Sequence, residues 1–150
     1  MHGELGPKID YTIKSQSGSI KKAFTNQREL IIEFLKVLGL AHECVPETVT
    51  KSDGEKITFF QGPSPDEVTL VDFAKSMGLD FQETDDKSIT AEFNGPFEPV
   101  RKMKYEVFRR IEFSSKRKRM SILLKDPDDG LVKLYVKGAD SEIIKRLDKD

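Results

Sequence analysis

After Gly78 the hydrophobic pattern of this chain changes from a helical spacing to a period of two. It then keeps that period through five successive segments. Leu79–Glu83, Ile89–Phe93, Tyr105–Phe113, Arg119–Lys125 and Leu131–Lys137 alternate as half-buried strands do. No other feature restricts the fold as much. Short strands joined by hairpins, with helical patterns lying mostly outside the run, predict an antiparallel sheet covered by helices. Asp128-Asp129-Gly130 separates the last two strands and suits a tight turn. Within the longest strand, Tyr105, Val107, Ile111 and Phe113 are expected on one face.

The flanking segments supply the helices. Leu30, Ile31, Phe34, Leu35 and Leu38 recur at helical spacing between about Asn26 and Leu40. Ser64-Pro65-Asp66-Glu67 places serine at the N-cap, proline at the first helical position and glutamate at the third. Val68, Val71, Ala74 and Met77 follow on one face, and Gly78 closes the helix. Asp140-Ser141-Glu142 is expected to cap a last helix carrying Ile143, Ile144 and Leu147. Ile57 to Phe60 reads as a further short strand, Pro46 to Glu55 as polar and turn-rich, and residues 1 to 23 as a flexible arm. The fold class expected is α+β, with an antiparallel sheet of about six strands flanked by helices, formed by residues 24–150. There is no internal repeat.

A length of 150 residues fits one domain with a real core. Charged residues make up 34% of the chain, yet the net charge is -1, so no global field recruits nucleic acid or anionic lipid. Any basic site must be local. The single cysteine, Cys44, excludes an internal disulfide and fits a reducing compartment. No apolar run reaches the ~18 residues of a membrane span.

Three segments carry possible chemistry. Phe113-Ser114-Ser115-Lys116-Arg117-Lys118-Arg119-Met120-Ser121 sets an aromatic and a methionine around four successive cations. It is a solvated loop between strands, a nucleic-acid or nuclear-import patch (for which the near-neutral chain lacks a broad basic surface), or a site for an anionic ligand with an aromatic base, in which Phe113 stacks and Lys118 or a neighbour meets phosphate. Val136-Lys137-Gly138-Ala139-Asp140 puts a lysine where a strand ends. Gly138 there leaves a ligand's approach open, and the helix start that follows offers free amides. Glu67 is fully explained by the capping box, unless it turns away from the cap. Other sites are excluded by missing parts. No Gly-x-x-x-x-Gly-Lys-Ser/Thr phosphate loop exists. Asp126, Asp128 and Asp129 lack the spacing and distal glutamate of an EF-hand, so a turn is expected there.

In order and approximate spacing, Phe59-Phe60-Gln61-Gly62-Pro63-Ser64-Pro65-Asp66-Glu67, the Phe113 to Ser121 run, and Lys137-Gly138-Ala139-Asp140 resemble the motifs of P-type ATPase nucleotide-binding domains. Their spelling, with Leu40-Ala41-His42-Glu43-Cys44-Val45 upstream, is similar to the type IV phospholipid flippases. The resemblance spans roughly residues 24 to 147. It implies that Phe113 stacks on adenine and that Glu67 faces the base. Lys137, Gly138 and Ala139 would line the adenosine pocket, Lys118 would contact the nucleotide, and Met120 would form an apolar wall. Ser114 lies within the same motif. ATP is the ligand implied, with Mg2+ accompanying it in the intact pump.

The partners implied are the other cytosolic and membrane domains of that pump, with phospholipid as the parent's cargo and nucleic acid as no partner. The parent would be an integral membrane protein carrying this domain on its cytosolic side. The family's phosphorylated aspartate lies in Asp-Lys-Thr-Gly-Thr, and Asp86-Lys87-Ser88-Ile89 lacks its glycine turn. Phosphoryl transfer by this chain alone is therefore not expected. A further helix and strand with an arginine contact would follow Asp150, so the domain is expected to be truncated at its C-terminus. A cation- or polypeptide-transporting pump is the nearer alternative, since the nucleotide domain does not touch cargo. A non-enzymatic interaction module using the basic run is the other.

Overall fold

The computed structural model describes residues 9–15, 18–24 and 26–147. The chain divides into two compact units, Met1–Phe34 and Leu35–Asp150. In the first unit β1 (Ile9–Ser15) and β2 (Gly18–Phe24) pair as an antiparallel ribbon. The turn-rich composition expected for residues 1 to 23 did not indicate that ribbon, and residues 1–8 and 16–17 of that segment lie outside the described residues. Helix α1 (Gln27–Leu40) begins at Asn26, whose side-chain oxygen accepts from the Glu29 N–H at 3.0 Å.

The second unit contains a five-stranded antiparallel meander of β5 (Leu79–Thr84), β6 (Ser88–Gly95), β7 (Glu98–Ser114), β8 (Arg119–Lys125) and β9 (Val132–Gly138), in that spatial order. The α+β class and antiparallel sheet expected from the sequence are found. About six strands were expected in one sheet, whereas the short Ile57–Phe60 segment belongs to a separate ribbon. There β3 (Val45–Thr50) pairs with β4 (Lys56–Gln61). The segment read as turn-rich therefore supplies a strand. Val45, Pro46, Thr48 and Val49 suit an extended chain, and only Lys51–Glu55 makes the turn.

One face of the sheet carries the core. Phe81, Ile89, Ala91, Tyr105, Ile122 and Leu124 are buried there, together with Leu35 and Leu40 of α1. Helix α2 (Pro65–Ser76) adds Val71 and Ala74 and runs back to the edge strand β5. Its boundaries follow the sequence signals. Ser64 Oγ accepts the Glu67 N–H at 3.2 Å, and Gly78 follows the helix with φ +100°. A Cβ on Gly78 would lie 2.5 Å from the Cα of Gly95, so this position needs glycine twice over.

Two expectations for the sheet are corrected. Tyr105 and Val107 are buried, but Ile111 and Phe113 are exposed. Register shifts at Val107/Arg109 and Ile111/Ser114 each insert one residue into β7; the first turns Ile111 to the outer face, and the second restores the phase, leaving Phe113 on the inner side at the exposed strand end. The last helix, α3 (Asp140–Ile143), is four residues long and runs into a 3-10 turn at Ile144–Arg146. Its N-cap is Ala139, not Asp140, and Asp140 instead accepts the N–H of Ser141 at 2.6 Å. The Ala139 carbonyl takes the N–H groups of Glu142 and Ile143. Of the amides expected to be free at this helix start, those of Ser141, Glu142 and Ile143 are thus occupied.

The Asp126 to Leu131 connection is a turn, as expected, closed by Gly130 N–H to Asp126 O and Asp126 N–H to Leu131 O. It also holds an unexpected ion cluster. Asp126, with 0% exposure, accepts from Lys36 Nζ at 2.8 Å and from Lys133 Nζ at 2.7 Å. Lys36 reaches Asp128 as well, at 2.7 Å, and Arg101 donates to Asp128 from outside. Three aspartates that resemble a metal loop are neutralised by protein cations.

Candidate functional site

The far ends of β7, β8 and β9 meet the start of α2 and the connection between α1 and β3. Phe113 sits at the end of β7 with 54% of its surface exposed. Beside it an open recess of about 480 Å³ is lined by Glu43, Val45, Gln61, Gly62, Pro63 and Glu112. A large aromatic ring at the mouth of a recess is poorly used by the fold itself, because it keeps much of its apolar surface in water.

Glu67 does not complete the capping box. Its backbone N–H is taken by Ser64, but its carboxylate turns to Lys137, with Oε1 to Nζ at 3.6 Å. That separation allows attraction between charges and is too long for a hydrogen bond. Both side chains are largely buried, and Glu67 Oε2 and Lys137 Nζ have no hydrogen-bond partner among the described residues. Burial holds the Lys137 ammonium below the usual lysine range, opposed by the charge of Glu67. An acceptor and a donor of this kind are costly to leave unmet, so together they present a ready place for a polar ligand edge.

The basic run divides into two roles. Arg117 donates to the carbonyls of Ile111 at 3.3 Å and Glu112 at 3.0 Å and to Ser121 Oγ at 3.1 Å. Arg119 donates to the Arg117 carbonyl and lies 3.8 Å from Glu142. These two arginines hold the loop. Lys116 and Lys118 have no ion-pair partner among the described residues. Lys118 is also the one described non-glycine residue in the left-handed region, with φ 52°. Its N–H is fixed by Ser114 O at 2.7 Å, and its carbonyl accepts from Ala139 at 3.0 Å. An otherwise unfavourable backbone conformation is thereby tied down on both sides.

Of the other expected residues, Met120 is 2% exposed and pairs in register with Lys137, so it forms buried wall beneath the site. Ser114 Oγ accepts the Arg117 N–H at 3.2 Å and acts in the turn. Gly138 has a different reason from the one expected. A Cβ there would strike the Lys118 carbonyl and come within 2.7 Å of the Arg119 Cα, so the glycine admits the neighbouring chain, not a ligand. Ala139 anchors Lys118 through its N–H.

Residues not singled out as chemistry in the sequence underlie the site. His42 is buried, with Nε2 2.9 Å from Gly39 O and Nδ1 accepting the Cys44 N–H at 3.1 Å. The ring is therefore the neutral Nε2–H tautomer, and burial lowers its pKa to about 4. Burial also pushes the Cys44 thiol up to about 11, so it is an inert packing group. Gly62 leaves room for that thiol, since a Cβ there would lie 2.5 Å from Cys44 Sγ. The Glu43 carboxyl is raised by burial and by the neighbouring Glu67 and Glu112, and its Oε1 accepts the Phe113 N–H at 3.1 Å. Glu43 lies within the Leu40–Val45 segment that carries part of the resemblance, but nothing in that segment gives it a role. Only the tertiary fold brings it to Phe113.

The profile for P-type ATPase, cytoplasmic domain N, matches residues 30–149. The chain is 41% identical over 120 residues to phospholipid-transporting ATPase IC of Xenopus tropicalis. It is 40% identical over 121 residues to phospholipid-transporting ATPase C887.12 of Schizosaccharomyces pombe. To phospholipid-transporting ATPase tat-1 of Caenorhabditis elegans it is 37% identical over 118 residues. These matches cover 80%, 81% and 79% of the chain but only 9%, 9% and 10% of the relatives' own lengths.

Proposed function

The chain belongs to the P-type ATPase cytoplasmic domain N family, and from that premise we propose that it holds ATP by its adenosine end for phosphoryl transfer to an aspartate on another domain. The observation that carries the reading is the unmet pair Glu67 and Lys137, set on the same cluster of strand ends as the exposed ring of Phe113. Adenine offers a flat π-face for Phe113 and an amino group that donates to a carboxylate such as Glu67. Lys137 supplies a donor and positive charge at the sugar end, and the unpaired ammonium of Lys118 is free to meet phosphate. Ser114, Gly138 and Ala139 act through the backbone that fixes Lys118, and Met120 supplies apolar floor.

Among the described residues no group of three or more His, Cys, Asp or Glu is arranged to hold a metal ion. We assign no magnesium ligand here. The similarity to phospholipid-transporting ATPases supports a parent that moves phospholipid across a membrane, with this domain on its cytosolic side. No helix among the described residues is long and apolar enough to cross a membrane. Family membership supports the other domains of the same pump as its partners.

Titration of ATP and of inorganic tripolyphosphate into the chain and its Phe113→Ala variant tests the reading. Wild type should bind ATP with Kd on the order of 1 mM, and Phe113→Ala about tenfold more weakly, with tripolyphosphate unaffected. Equal ATP binding by both proteins would sink the clamp.

A further inference from the structure

The end of β7 is out of step with β8. Ile111 faces Ser121 and Ser114 faces Arg119, so Glu112 and Phe113 together oppose Met120. A bulge of two residues against one leaves a backbone group outside the ladder and re-aims a side chain. At this bulge the protein holds both kinds of backbone group. Arg117 takes the carbonyls of Ile111 and Glu112, and Glu43 takes the N–H of Phe113 from 70 residues away.

Water could satisfy that N–H, because the bond lies at an exposed position. Glu43 instead stands in the field of two further acids, Glu67 and Glu112, which the cation of Lys137 offsets only in part. Bringing a third carboxylate there opposes stability through like-charge repulsion. The contact is therefore poorly explained by backbone satisfaction alone. Its particular effect is to fix the one peptide unit from which the Phe113 side chain departs.

Resting on the clamp proposed above, we infer that Glu43 is a positioning residue for the nucleotide base, which acts by locking the bulge that aims Phe113 at the recess. Glu43 acts as an acceptor in this role, so an uncharged acceptor of the same length should replace it. Glutamine meets that requirement and alanine does not.

The test combines amide exchange with two titrations. In the wild-type chain the Phe113 N–H should exchange slowly. Glu43→Ala should bind ATP about five- to tenfold more weakly, no more than the loss of the ring that it positions. Tripolyphosphate binding should not move. Glu43→Gln should return ATP binding to within about twofold of wild type. The inference is overturned if the wild-type Phe113 N–H exchanges freely, a result that does not depend on any variant folding. It is also overturned if Glu43→Gln is as weak as Glu43→Ala, or if Glu43→Ala weakens ATP and tripolyphosphate alike. Unchanged ATP binding by Glu43→Ala alongside a weakened Phe113→Ala would overturn the inference and leave the clamp standing. Unchanged binding by Phe113→Ala would remove the clamp itself, and the role of Glu43 with it.

Discussion

Glu67 Oε1 lies 3.6 Å from Lys137 Nζ, joining the first turn of α2 to the end of β9, and each side chain keeps a polar atom with no hydrogen-bond partner among the described residues. Such a pair serves stability poorly and ligand binding well. Lys137→Met leaves a largely buried carboxylate without its counter-charge. We expect it to cost about 1–2 kcal/mol in urea unfolding, below the full range for buried pairs because the site is partly open. The double variant Glu67→Leu/Lys137→Met should regain most of that stability, because no lone charge remains. It should not regain ATP binding. Recovery of both would show the pair to be structural only.

The Asp126 cluster predicts the opposite balance. Asp126 is fully buried between Lys36 and Lys133, with no unmet role left for a ligand. Asp126→Asn keeps the shape and removes the charge that compensates two buried ammonium groups. We expect a loss of about 3 kcal/mol, softened by the contacts of Lys36 to Asp128 and Lys133 to Asp129. Affinity for ATP in the remaining folded protein should be unchanged. Chemical denaturation and titration of the same sample would check both halves.

His42 sets a pH dependence. Its ring is held neutral in the fold, with a pKa of about 4 against an ordinary 6.5, chiefly through burial and secondarily through Lys137 and Arg110. Between those values the unfolded chain binds a proton that the folded chain does not, so stability falls as pH drops from 6.5 towards 4. Above 6.5 this group costs nothing, and below about 4 its contribution levels off. The full loss is roughly 3 kcal/mol. Urea midpoints measured across the window should fall steeply for wild type. His42→Gln, though less stable at neutral pH, should give a flatter profile.

The parts legible in the sequence are those governed by local rules. The period-two segments became β5 to β9 because alternation fixes which face is buried. Ser64 and Gly78 bounded α2 because caps act over a few residues. The far end of β7 escaped that logic, since each bulge inserts a residue without leaving a compositional mark: the first turns Ile111 to the other face, and the second brings Phe113 back to the side of Met120. Glu67 looked like a complete capping box, and its carboxylate could be seen to leave the cap only once Lys137 was in view. Gly138 was read as open space for a ligand, but its neighbour is the Lys118 carbonyl in the turn that leads into β8. Asp126 signalled only a turn, and Lys36 and Lys133 gave no signal at all. Their partnership spans 90 residues and belongs to tertiary structure alone.

The bond from Phe113 to Glu43 has a consequence for assembly of the domain. Strands β5 to β9 form a meander of neighbouring hairpins, whose contacts are short-range and close early in folding. The aromatic platform therefore exists in rough form while the sheet is still bare. Its aim is set only when the segment after α1 docks and delivers a carboxylate from far back in the chain. A chain caught half-assembled would display the ring without directing it, so tight recognition of a base would mark molecules whose most distant parts have already met.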